Sequence, residues 1–165
     1  MFRQDQRGTQ TLSLDVNGFY LVLSDCDRVY KFHWGLYLAK APQYGVVYHI
    51  ISDSNGKLIL EAGPVENPFT FSHIILAIKL ADMDPALHEA LADRLAEVPV
   101  AYSTRFRENI TCRVWVKEAL FLLDDQGYIK LIREVIALER EAIGAAIVQK
   151  IGGTRLILKS AAVQV

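Results

Sequence analysis

The 165-residue sequence is poor in cysteine, in excess charge and in long apolar runs. Its two cysteines are Cys26 and Cys112. Two thiols cannot build a disulfide-dense secreted scaffold and fit a reducing compartment, so a cytoplasmic protein is expected. Lys and Arg total 18 against 19 Asp and Glu, a net charge of −1. That balance argues against nucleic-acid binding driven by phosphate attraction. A membrane helix needs ~20 apolar residues, and the best run, Ile74 to Ala81, is short and carries Lys79, so no transmembrane segment is expected. The opening MFRQDQRGTQ is polar and lacks the apolar core of a secretory signal. Without such a signal, Asn109-Ile110-Thr111 is read as a chance match to the glycosylation pattern. G-x-G-x-x-G, G-x-x-x-x-G-K-[ST], HExxH and CxxC are all missing, which disfavours nucleotide enzymes and simple zinc ribbons. There is no internal repeat and no low-complexity tract.

What is present suits one packed domain: 52% apolar and 22% charged residues. Short apolar runs over Phe19–Ser24, His33–Lys40, Gly45–Ile51 and Lys57–Ala62 read as four strands of an antiparallel meander. Ala41–Tyr44 joins the second to the third, and Asn55-Gly56 marks a hairpin before the fourth. Apolar residues three and four apart over Phe71–Asp82 predict a helix. Asp84-Pro85 opens a second helix ending near Glu97, before Pro99. Thr111–Asp124 is a third, and Tyr128–Gln149 a fourth, ended by Gly152-Gly153. Strands first and helices after make an α+β domain, with one sheet face on the helices and the other toward solvent or a partner. The expected division is a flexible N-terminus over 1–15, the domain over 16–151 and a tail over 152–165. On an inactive binding module the apolar tail, Leu156-Ile157-Leu158 and Ala161-Ala162-Val163, is a candidate partner-binding edge; a homodimer is a separate expectation with no segment assigned to it.

Chemistry concentrates on a few side chains. His33 opens the second strand and His49 lies near the end of the third, so a hairpin brings their rings toward each other, in a register the sequence leaves open. Cys112 falls in the first turn of the third helix behind Thr111 as N-cap, where free N–H groups and the dipole stabilise a thiolate. Trp115, Val116, Ala119 and Leu123 form an apolar stripe that presses this helix on the sheet. The competing reading makes Cys112 a small buried hydrophobe. His73 and His88 are read as helix residues without a reactive companion, and Cys26, between Asp25 and Asp27, as structural. A zinc site of Cys26, His33, His49 and Cys112 has an acceptable ligand set but scattered spacing, so no metal and no other cofactor is assigned.

Tyr30-Lys31-Phe32-His33-Trp34-Gly35-Leu36-Tyr37-Leu38, then Val46-Val47-Tyr48-His49-Ile50, then Asn109-Ile110-Thr111-Cys112-Arg113-Val114-Trp115-Val116 resemble, in that order, the motifs of the lecithin:retinol acyltransferase superfamily. These are circularly permuted relatives of papain and the NlpC-type peptidases. A group of small fungal proteins is similar over roughly Phe19 to Lys150, sharing His33-Trp34-Gly35-Leu36, His49, Lys79-Leu80, Val98-Pro99 and Cys112-Arg113-Val114-Trp115-Val116-Lys117-Glu118-Ala119-Leu120. The resemblance implies a permuted papain-like domain with Cys112 as nucleophile, His33 as general base and His49 orienting His33. Tyr30, Trp34 and Trp115 would line the substrate site. The implied reaction is hydrolysis or acyl transfer on an amide, ester or thioester of a small molecule or peptide through a Cys112 acyl-enzyme. The chain departs from the family pattern: Ile110 and Thr111 separate Asn109 from Cys112, and Arg113-Val114-Trp115 replaces Glu-His-Phe. An alternative on the same fold is a catalytically inactive binding module.

Overall fold

A computed structural model describes residues 12–165 except Val29 and Ser72; the expected flexible N-terminus lies outside the described residues up to position 11. Four strands run in a meander: β1 (Gly18–Asp25), β2 (Phe32–Ala41), β3 (Tyr44–Ser52) and β4 (Leu58–Glu66). Each is antiparallel to the next, as the short links require. The β3–β4 turn is built by Asp53, whose Oδ1 accepts the N–H groups of Asn55 and Lys57. Gly56 takes the left-handed conformation (φ 77°) that the turn needs and a side chain resists.

The segment expected to be one helix over Phe71–Asp82 is not. A single helical turn, α1 (Pro68–Phe71), gives way to a strand, β5 (Ile74–Asp82), antiparallel to β1. The run Ile-Ile-Leu-Ala-Ile-Lys-Leu is apolar without interruption until Lys79, so three-residue spacing is satisfied by default. Burial on both faces makes such a run a central strand. The tail adds β6 (Leu156–Leu158), parallel to β5, completing a six-stranded sheet of order β4-β3-β2-β1-β5-β6.

The three longer helices cover one face. After a 3₁₀ turn capped by Asp84, with Pro85 first, comes α2 (His88–Ala96). α3 (Cys112–Asp125) has Thr111 as its N-cap, the hydroxyl accepting the Val114 N–H. α4 (Val135–Gly152) starts later than the expected Tyr128 and ends on Gly153 in the left-handed conformation. Trp115, Val116, Ala119 and Leu123 of α3 pack with Phe32, Trp34, Leu36, Tyr48 and Ile50 of the sheet in the main core. Alternate residues of the same strands, Tyr20, Val22, Tyr37 and Ala39, point the other way. They meet Phe69 of α1 and Leu14, which is buried although the sequence reading put it in the flexible N-terminus. The fold is α+β. Among the described residues no helix is long and apolar enough to cross a membrane.

Candidate functional site: an open-face cleft

Strand alternation decides which side chains can meet. On β2, Phe32, Trp34 and Leu36 face α3, so His33, Gly35 and Tyr37 face away from it. On β3, Tyr48 and Ile50 face α3, so Val47 and His49 face away. The far face carries a cleft of about 330 Å³ whose polar lining is Ser24, Asp25, His33, His49, Glu61 and His73.

Within it, His33 Nε2 and His49 Nδ1 lie 2.7 Å apart, and the rings meet edge to face. Glycine makes room for this. A Cβ at Gly35 would come within 3.1 Å of Val47 and 3.4 Å of the His49 Cβ. On β4, Glu61 is the direct partner of His49, and its Oε1 stands 3.6 Å from His49 Nε2. A Cβ at Gly63 would lie 2.8 Å from that same oxygen, so the bare Gly63 backbone gives the carboxylate its place.

These contacts assign the tautomers. His49 Nε2 is buried without a hydrogen-bond partner, at ion-pair rather than hydrogen-bond distance from Glu61. A lone pair there would face the carboxylate, so Nε2 carries the proton and Nδ1 is bare. His33 Nε2–H therefore donates to His49 Nδ1. That leaves His33 Nδ1 with its lone pair free. Burial, and then the neighbouring His49, hold the His33 pKa below its usual 6.5, so the neutral ring persists at neutral pH.

Cys112 is elsewhere. It starts α3 on the other side of the sheet, half-buried against the main core. No hydrogen bond joins it to His33 or His49 among the described residues. The expected grouping of Cys112, His33 and His49 is thus assembled only in its histidine half. The reason is strand parity: the Trp34 that packs under α3 turns the adjacent His33 outward. The two tryptophans expected to line a substrate site are core residues instead, Trp34 at 2% and Trp115 at 0% exposure. Tyr30 is exposed beside Ile147 and Ile151, away from the cleft.

The remaining sequence candidates separate in the same way. Cys26 is exposed, its thiol against the Lys31 carbonyl. His88 opens α2 and bonds Lys40 and the Met83 carbonyl. His73 belongs to no helix; it precedes β5 with φ 57° and lines the cleft. Among the described residues no group of three or more His, Cys, Asp and Glu is placed to hold a metal, so the four-ligand zinc grouping does not converge.

The sequence expectations gave no role to Ser24 or Glu61 and read His73 as a helix residue without a reactive companion. For Glu61 a signal exists: positions 49 and 61 are equidistant from Asn55 at the hairpin turn, which makes them cross-strand partners.

A family model described as a family of unknown function, DUF6540, matches residues 19–130. The chain belongs to that family. No curated protein and no solved structure shows a significant match to it. The DUF6540 match runs from β1 to just past α3, so it contains the whole cleft and Cys112, and it stops short of α4 and β6.

Proposed function

We propose that this chain is a small-molecule-binding protein whose site is the open-face cleft, and that His33 Nδ1 takes up a proton or a hydrogen bond from the bound ligand. The observation that carries this reading is the polarised row Glu61–His49–His33 in a cavity of small-molecule size. It lies nearer the binding-module alternative than the thiol-dependent hydrolase or acyltransferase. A Cys112 acyl-enzyme needs its base within hydrogen-bond reach, and the sheet stands between the two. The permuted papain-like relationship implies that arrangement and finds no support in it. Two free thiols accord with a reducing compartment such as the cytoplasm.

The test pairs two measurements. A fragment screen by NMR should give ligands that shift the His33 and His49 ring signals. Alkylation of Cys112 by iodoacetamide should proceed at the same rate in wild type and His33→Ala. Cleft-silent fragments together with a rate that collapses in His33→Ala would restore the thiol enzyme.

A further inference from the structure

The row of histidines does not end at His33. On β1, Ser24 is the direct cross-strand partner of His33, and both line the cleft. Partners on one sheet face hold their Cβ atoms about 5 Å apart, close enough for a short hydroxyl to meet the near edge of an imidazole. No hydrogen bond joins Ser24 to His33 among the described residues, and the His33 nitrogen left bare by the His49 contact is Nδ1. Four adjacent strands thus present Ser24, His33, His49 and Glu61 in sequence across one face. That is a nucleophile, a base, a group orienting the base and a carboxylate.

We propose that Ser24 is the nucleophile of an esterase site in this cleft, with His33 Nδ1 as its general base. The inference rests on the binding site described above and adds a reaction to it. Ser24 Oγ transfers its proton to His33 Nδ1 and attacks the ester carbonyl carbon, forming an Oγ–C bond. The C–O bond to the alcohol breaks, and the departing alkoxide takes the proton back from His33. Water then gives a proton to His33 while its oxygen attacks the acyl carbon. The acyl–Oγ bond breaks, Ser24 regains its proton, and the acid leaves. Ester and water become acid and alcohol with nothing left over.

His73 supplies what the row lacks. Its ring is the remaining histidine N–H donor lining the cleft and stands outside the relay, available to an oxygen that gains charge. Substrate class follows from the walls. Val22, Val47, Val65 and Ile74 are apolar, and Glu61 repels anions, whereas the Asp25 charge is met by Lys150. An uncharged ester with a short acyl chain fits; a substrate bearing its own carboxylate does not.

A fluorophosphonate probe and p-nitrophenyl acetate test this on the full chain. Mass spectrometry should place the phosphonyl adduct on Ser24 in wild type and in Cys112→Ala, and on no residue of the cleft in His33→Ala. Acetate ester turnover should fall at least 100-fold in Ser24→Ala and His33→Ala and about 10-fold in His73→Ala, with melting temperatures unchanged. p-Nitrophenyl hemisuccinate should react more slowly than the acetate. In folded Ser24→Cys, iodoacetamide should alkylate position 24 faster than the exposed Cys26, and adding His33→Ala should remove that advantage; equal rates with and without His33 overturn the assignment of His33 as base. Absence of any adduct on Ser24, with fragments still shifting the His33 ring, overturns the esterase and leaves the binding site standing. Absence of both overturns the two together.

Discussion

The free lone pair at His33 Nδ1 depends on one carboxylate held in place by a missing side chain. Glu61 bends over Gly63, where any Cβ would come within 2.8 Å of its oxygen. That oxygen is the far end of a flexible side chain, so it yields cheaply. Gly63→Ala should therefore change unfolding free energy by no more than about 1 kcal/mol while displacing Glu61 from His49. Chemical denaturation checks the first part, and loss of the Glu61 effect on the His49 ring signals the second. The histidine pair itself was legible from the 16-residue spacing of His33 and His49 across a short hairpin. The face it occupies was not. A shift of one residue in a strand moves every side chain to the other side of the sheet. The aromatic Trp34, next in sequence, takes the core position, and that alone sends His33 outward.

Among the elements, α3 and β5 carry opposite lessons. The N-terminus of α3 was visible in Thr111 and in the apolar stripe below it, and the cap and the stripe are both as the sequence implies. Thr111→Ala should cost about 1 kcal/mol. Trp115→Ala should cost about 3–5 kcal/mol, because it removes a fully buried ring from the junction of helix and sheet. Thermal or urea unfolding measures both, and a near-neutral Trp115→Ala would return that ring to a ligand-facing role. β5 misled because continuous burial leaves no period to read: a central strand flanked by β1 and β6, with core on both faces, looks like a short buried helix. Its misassignment also hid His73, which only the strand places at the cleft.

For the molecule as a whole, one ionic cluster ties the loop after α2 to α3 and α4. Arg113 and Lys117 of α3 each pair with Glu108 and with Glu139 of α4, and Lys117 is 4% exposed. The Arg113 hydrogen bond, and then that of Lys117, hold the Glu108 pKa at about 2 against an ordinary 4.5. A lowered carboxyl pKa contributes stability that is present above 4.5 and lost as pH falls from there toward about 2. His33 acts in the same direction at higher pH. Its lowered pKa means that the unfolded chain binds the proton more readily below 6.5, so stability begins to fall there. Denaturant titrations from pH 7.5 to pH 3 should show both declines, with Glu108→Gln flattening the acid one. The central claim, a polarised Glu61–His49–His33 row on the open face, is tested most directly by ¹⁵N NMR of the histidine rings near pH 7.5. His33 should carry its proton on Nε2 with Nδ1 bare, His49 should do the same, and Glu61→Gln should weaken that preference. A His33 ring protonated on Nδ1, or one whose state is indifferent to His49→Phe, would contradict it.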